Sequence, residues 1–410
     1  MGELVPRLRF QGFEGNWEKI RLGDISEIIT KGTTPKEFSP VGVRFIKIEA
    51  FENNFISPEK CLFIDEHTHL KDLKRSILKE NDILFAIAGA TVGKCNIVSK
   101  DILPANTNQA LAIIRLKNLN DVPAVYQILR SEKMRAYIKD NVAVGAQPNL
   151  NLEQLNNFSF YSSSREEQGK ISQFQSLIDE WLLFLQKKKA LLEQYKKGMM
   201  QKIFSREVRF KDENGKAFGE WEMKQLKDVL FEHKKRNSEN IITEVFSVAK
   251  HKGVVNQIEH LGRSFSAEDV SNYKICEPFD VVYTKSPTAD FPYGIIKQNL
   301  TDRTGILSPL YGVFRPSNKS LGYLLHSYFL SEVNTYNYLN PIVEKGAKNT
   351  MNINNDTFLN GAAIALPISE KEQTKIANFL SAIDDKIEAV RKQIEKMEVW
   401  KKGLLNEMFV

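Results

Sequence analysis

The sequence predicts an α+β chain in which two mixed α/β domains are joined by two long antiparallel coiled-coil helices, with a pseudo-two-fold internal repeat. Three observations predict it. Short motifs from the first half of the 410 residues return in the second half in one register. Each half ends in a long proline-free stretch whose apolar residues recur at alternating steps of three and four. Between these anchors, strand-like and helix-like patterns mix without the regular strand–helix alternation of a doubly wound sheet.

The repeat comes first because it organises everything else. Arg9-Phe10 precedes Trp17-Glu18, and Arg209-Phe210 precedes Trp221-Glu222. Leu22 and Asp24 return as Leu226 and Asp228. Further on, Glu167-Gln168-Gly169-Lys170-Ile171 returns as Glu372-Gln373-Thr374-Lys375-Ile376. The same offset of 205 carries Phe174 to Phe379, Ile178-Asp179 to Ile383-Asp384, Lys196-Lys197-Gly198 to Lys401-Lys402-Gly403, and Phe204 to Phe409. Gly145-Ala146 answers Gly346-Ala347. Residues 30–140 and 235–340, by contrast, show little resemblance to each other. A duplicated scaffold with divergent inserts is what two-part recognition requires.

The long helices follow from spacing. The first seam reads Ile171, Phe174, Ile178, Trp181, Leu185, then Leu192, Tyr195 and Met199. The second reads Ile376, Leu380, Ile383, Ile387, Val390, Ile394, Met397, then Leu404 and Met408. This is the heptad signature of a coiled coil, and Ser164 and Ser369, each shortly before glutamates, suit the helix starts. At 1.5 Å per residue each helix spans roughly 55–60 Å, longer than a domain of ~150 residues is wide. Chain order makes the pair antiparallel and sets the domains at opposite ends, a symmetry that duplex DNA shares. The expected domains are 1–165 and 206–368, with helices over 166–205 and 369–410. Inside the domains, strand-like runs occur at 43–48, 83–88 and Val281–Tyr283, and helical patterns at 125–138 and 321–330.

Composition narrows the class. With 42% hydrophobic and 26% charged residues the chain is globular rather than disordered. Cys61, Cys95 and Cys276 are too scattered for a zinc ribbon or disulfide scaffold and suit a reducing compartment. No leader-like or membrane-spanning run occurs, so a cytoplasmic protein without membrane contact is expected. The net charge of +6 is compatible with nucleic acid without demanding it.

Catalytic motifs are missing. An adenine methyltransferase needs an Asn- or Asp-Pro-Pro-aromatic element, and Asn340-Pro341-Ile342-Val343 lacks the second proline and the ring. Gly89-Ala90-Thr91-Val92-Gly93-Lys94-Cys95 imitates a phosphate-cradling loop but is one residue short, and Cys95 stands where a magnesium-binding hydroxyl belongs. It reads as a glycine-rich turn whose amides or Lys94 could approach DNA phosphate. His67-Thr68-His69 has no further ligands at useful spacing, so no metal is expected.

The opening Arg7-Leu8-Arg9-Phe10 with Trp17 and Leu22-Gly23, the two Glu-Gln-x-x-Ile helix starts and the two Lys-Lys-Gly elements together resemble the specificity subunits of type I restriction–modification systems. Gly32-Thr33-Thr34-Pro35, Asn108-Gln109 and Gly305-Ile306-Leu307-Ser308-Pro309-Leu310-Tyr311 resemble segments of their target-recognition domains, and Pro367 precedes the second Glu-Gln. One departure is Ser162 where the second copy has Pro367, which marks the entry to the first helix as a place where the copies could differ. The resemblance implies a non-catalytic subunit whose two domains each read half of a bipartite, asymmetric site in double-stranded DNA. It implies helices that set the spacing, two methyltransferase subunits docked around the chain, and motor–nuclease subunits joining for cleavage. S-adenosylmethionine, ATP and Mg2+ would then belong to those partners, and this chain would bind no cofactor.

Reading bases requires paired donors and acceptors, and gripping phosphate requires cations, hydroxyls and turn amides. The first domain offers Lys31, Thr33, Thr34 and Lys36, then Thr91 and Lys94, then Asn106, Asn108 and Gln109. The second offers Lys250, His251 and Lys252, then Tyr283, Lys285 and Ser286, then Lys345, Lys348 and Asn349. The runs Lys187-Lys188-Lys189 and Lys196-Lys197 read as a solvated helix face. The alternative is contact with the DNA between half-sites or with a partner's acidic surface, and the return of Lys196-Lys197 as Lys401-Lys402 raises a docking role for both copies. A coiled-coil scaffold that binds only proteins is the competing function.

Overall fold

Serine caps start both long helices. The Ser164 hydroxyl accepts the Glu167 amide at 3.3 Å and Ser369 accepts that of Glu372 at 3.5 Å, each satisfying an amide with no partner inside the helix. A computed structural model describes every residue except 1–4, 53, 143–147, 251, 346–350 and 410. The helices run over Arg165–Phe204 and Glu370–Met408. The chain forms two units, residues 1–188 with 390–410 and residues 189–389, so each unit is completed by a helical segment from the other half of the sequence.

The first unit is built on a four-stranded antiparallel sheet of β1 (Ser26–Lys31), β2 (Ile83–Ala86), β3 (Cys95–Ile97) and β4 (Leu111–Leu116), ordered β1-β4-β2-β3. Period-two alternation sends Ile83, Phe85, Ala112 and Ile114 to one face, where they meet Val125 and Leu129. It sends Leu84, Ala86, Leu111 and Ile113 to the other, against Ile46, Ala50 and Ala105. Burial on both faces explains why 83–88 reads as an unbroken apolar run. The helical pattern at 125–138 resolves into two helices, Val122–Arg130 and Glu132–Asn141, broken at Ser131.

The second unit repeats this plan with almost no sequence in common. Strands β5 (Leu230–Glu232), β6 (Val281–Tyr283), β7 (Ile296–Gln298) and β8 (Gly312–Pro316) are ordered β5-β8-β6-β7, and the helix Lys319–Tyr328 covers one face. Asp82 holds Arg115 at 2.7 Å in the first sheet, and Asp280 holds Arg315 at 2.6 Å in the second. Asn81 and Phe279, immediately before those aspartates, share a left-handed backbone, with φ of 69° and 72°.

The repeated anchors fasten each domain to its helices. Arg9 donates to both oxygens of Glu167, at 2.7 and 2.9 Å, and Arg209 does the same to Glu372 at 3.0 and 3.3 Å. Phe10 stacks edge-on against Phe174, and Phe210 against Phe379. Trp17 meets Phe409 at the far end of the second helix, and Trp221 meets Phe204 at the far end of the first. The Ser162/Pro367 departure changes little. Strand Glu18–Arg21 pairs with Ser159–Ser162 and Trp221–Lys224 with Ile364–Pro367, and in both copies the glutamine that follows bonds back to this strand end.

In the first unit Ile171, Ile178 and Leu182 pack with Leu404 and Met408, flanked by Phe174, Ile394 and Met397, and Leu185 and Val390 are also buried. In the second, Ile203 packs with Ile376 and Leu380. Ile383 is buried there too, whereas Leu192 and Ile387 are half-buried. Within each unit the packing is antiparallel, as the pairs Gln175–Met408 and Asp179–Lys401, then Lys196–Asp384, require. Two expected seam positions are corrected. Trp181 is 57% exposed and Tyr195 50% exposed, while Leu182 and Lys196 take the buried places. The register that buries Gln175 and Lys196 is the one that matches the second helix residue for residue, and aromatic character does not decide it.

Two predictions follow from this packing. Removing either arginine clasp strands a buried carboxylate, so Arg9→Met and Arg209→Met should each cost ~2 kcal/mol in urea denaturation. In the second unit, burial pulls the Lys297 ammonium down to about 8, with Lys196 and Lys250 repelling it and Asp384 working against both. The folded chain therefore releases this proton before the unfolded chain, whose lysine holds it to about 10.5. Stability contributed by this group rises between those pH values and is lost as pH falls through the lower one. Lys297→Met should abolish that rise and stabilise the protein at pH 7 by roughly 1–3 kcal/mol in the same assay.

Candidate nucleic-acid interface

In the first unit, strand direction brings three loops to one end of the sheet. Pairing of Lys31 with Ala112, Leu111 with Ala86, and Phe85 with Cys95 places residues 31–36, 107–110 and 87–94 together there. Gly32 makes the junction: a Cβ on it would stand 2.0 Å from the Thr107 carbonyl oxygen and 2.3 Å from that of Asn108. Its amide donates to Leu111 at 3.2 Å, and the Thr33 amide to Thr107 at 3.0 Å. The Thr34 hydroxyl bonds to Gln109 Oε1. Lys31, Thr33, Thr34, Lys36 and Gln109 are exposed and Asn108 is half-buried.

The second unit gathers the matching loops, since His233 meets Val313 and Tyr283 pairs with both Gly312 and Ile296. Lys285 sits in the left-handed region with φ of 50°, beside the exposed Ser286. Burial draws the Lys285 ammonium below the ordinary lysine range and repulsion from Lys274 lowers it further, with Glu232 opposing. Lys250 pairs with Asp290 of the 284–295 loop, and Lys252 is exposed on the same hairpin. Each sheet thus presents exposed cations, hydroxyls and amides at one end, the donor set that phosphate and base edges require.

Residues 14–194 match a family model described as the type I restriction modification DNA specificity domain. Over 412 aligned residues, covering 95% of this chain and 92% of the relative, the chain is 26% identical to a Methanocaldococcus jannaschii protein provisionally named the type I restriction enzyme MjaX specificity subunit. The chain thus resembles the specificity subunits of type I restriction–modification systems along nearly its whole length. The MjaVIII specificity subunit of the same organism is 25% identical over 225 residues, 52% of this chain and 49% of that one. The fold is shared with the type I S subunit from M. genitalium, with a TM-score of 0.59, 14% identity and 99% of both chains covered. It is shared too with a chain solved in work on complex assembly and conformational transition of a type I system, with a TM-score of 0.52, 16% identity, and 96% of this chain and 97% of that one covered.

Several of the expected contact residues are elsewhere. Asn106 is fully buried: it accepts from His69 Nδ1 at 2.5 Å and donates to the Leu73 carbonyl and Ser76 hydroxyl, both at 3.0 Å. Tyr283 is also fully buried, because alternation along β6 turns it inward onto Phe358, with its hydroxyl bonded to Tyr293 O at 2.7 Å. The loop that imitates a phosphate cradle is the β2–β3 hairpin turn. Its Gly89, Val92, Gly93 and Lys94 amides donate to the chain's own carbonyls, which leaves Lys94 exposed and Thr91 half-buried at its rim. Among the described residues no group of three His, Cys, Asp or Glu could hold a metal, and no helix is long and apolar enough to cross a membrane. His251, Lys348 and Asn349, with the repeated 145–146 and 346–347 pairs, lie outside the described residues. Lys345 is described only through its backbone pairing with Met351.

The recurring lysines are corrected as well. Lys196 and Lys401 are buried and bonded to Asp384 and Asp179, so neither offers a docking surface. Lys402 pairs with Glu132 at 3.1 Å, while Lys187, Lys188 and Lys197 are exposed. Lys94, Arg130, Arg135, Lys401 and Lys402 line a cleft of about 570 Å³ in the first unit. Sequence reasoning missed Lys234-Lys235-Arg236, which leave β5 where Lys31 leaves β1; the run of cations after a strand was the available signal.

Burial separates structural from interfacial candidates experimentally. Asn106→Ala should cost ~2 kcal/mol in urea denaturation, because it strands His69 and Ser76. Gln109→Ala should stay within ~0.5 kcal/mol of the parent.

Proposed function

We propose that this chain is the sequence-reading subunit of its complex, with recognition domains over 1–165 and 206–368 each reading one half of a bipartite, asymmetric site in double-stranded DNA. The duplicated sheet end carries this reading. Two units with the same strand order display different side chains at the matching sheet end, as two different half-sites demand. In the first, Lys31, Lys36, Thr91 and Lys94 grip phosphate while Thr33, Thr34, Asn108 and Gln109 face base edges. In the second, Lys250, Lys252, Lys285 and Ser286 do so, joined by Lys345, Lys348 and Asn349. The helices over 166–205 and 369–410 set the gap between half-sites.

The same helices dock two methyltransferase subunits. An outward stripe on the first long helix supports this, since Leu177, Trp181, Phe184, Leu191 and Tyr195 are all at least half exposed and lie at heptad spacing. That pattern suits a further helix from a partner. Methyl transfer to adenine N6 from S-adenosylmethionine, and ATP- and Mg2+-dependent cleavage by motor–nuclease subunits, are chemistry of those partners.

Genome-wide mapping of N6-methyladenine, with and without this gene in a host expressing its methyltransferase partner, tests the proposal. A split asymmetric motif that disappears with the gene is the expected result. An unchanged methylome, with the complex shown to assemble, would overturn it in favour of a protein-binding scaffold.

A further inference from the structure

One carboxylate in each unit joins three elements. In the first, Asp179 of the first long helix is bonded to Lys401 of the second. It also accepts from Arg130 at 3.1 Å and from Gln127 at 3.4 Å, both on the domain's Val122–Arg130 helix. Arg130 extends the chain of bonds to Asn54 Oδ1 at 2.7 Å, with its guanidinium 4.9 Å from the centre of the Tyr126 ring. In the second unit Asp384 accepts from Lys196 at 2.6 Å and from the Tyr323 hydroxyl on the domain's Lys319–Tyr328 helix. Aspartate and lysine recur at equivalent positions, but the domain's donors do not. Arginine with glutamine in one unit and tyrosine in the other reach the same point from different helix positions.

An apolar seam resists separation better than it resists sliding, because one heptad looks much like the next. Polar groups buried at single seam positions fix register. Here the same group that fixes the register also receives the recognition domain. We infer that Asp179 and Asp384 are positioning residues that seat each recognition domain at one height and angle on its helix pair, and so restrict the spacing between half-sites that the subunit accepts. This inference rests on the bipartite reading above. The tolerance involved is small, since one added base pair moves the next base by about 3.4 Å along the duplex and rotates it by roughly 35°.

Domain donors can be removed while the helix–helix pairs stay. Tyr323→Phe deletes only a hydroxyl, and Arg130→Met keeps most of the side-chain volume. The methyltransferase complex assembled with the full chain is titrated against duplexes carrying the mapped site, the site with its spacer changed by one base pair either way, and the site with one half-site base replaced. The parent should prefer the native spacer by on the order of tenfold or more. The double variant should lose most of that preference and keep the parent's penalty for the replaced base. Undiminished spacer preference in the double variant would overturn the inference, and so would an equal loss of affinity on every duplex. A parent complex that shows no spacer preference would instead remove the bipartite reading on which the inference rests.

Discussion

Both units depend on covering one apolar face of a long helix. A helix of 40 residues with Ile171, Ile178, Leu182, Leu185 and Ile203 along one side cannot stand alone in water. Each such residue gains roughly 1.5–3 kcal/mol on burial, but only against a second helix. The chain supplies that helix from its own far end. Residues 390–410 complete the first unit and residues 189–204 help to complete the second. The first recognition domain therefore cannot settle on its full support until residues 390–410 have been made, whereas the second has its support once residue 389 is reached.

Around that packing, side chains of different chemistry repeat one arrangement. Arginine holds the glutamate in the first turn of a helix, phenylalanine packs on the helix about two turns later, and tryptophan covers the end of the antiparallel neighbour. The sheets share strand order, the aspartate–arginine pair and a left-handed residue before the aspartate. These are constraints on backbone course, and the loops at the sheet ends carry none of them beyond Gly32. The loop residues are consequently where the two units differ most.

Much of the architecture could be read from residues. Heptads, serine caps and the repeated Trp-Glu and Glu-Gln motifs mark the helices and the duplication directly. The register of the first seam could not, because Phe174 and Trp181 look apolar while the true seam carries Gln175 and Lys196. Polar residues are tolerated there through bonds to distant partners, Lys196 to Asp384 being one. The candidate interface was legible only in part. Residue type nominated Lys31, Thr34 and Gln109, which are exposed, together with Asn106 and Tyr283, which are not. Amide and phenol groups serve a buried network as well as a surface, and only strand alternation and neighbours separate the two. Lys234-Lys235-Arg236 escaped notice because the repeat fades just beyond Leu226 and Asp228, so Lys31 had no counterpart to be matched with.

The clasps also define how little a recognition domain must contribute to fit its support. An arginine–phenylalanine pair, a tryptophan, and a donor that reaches the helix aspartate meet the helices in each unit, alongside contacts peculiar to one unit such as Glu132 with Lys402 in the first and Ser320 with Thr374 in the second. A domain of different ancestry that carried those few groups would find its sockets already formed. Under the proposed bipartite reading, recombination that exchanged one such domain would replace half a target sequence in one event and leave the supporting framework to its existing residues.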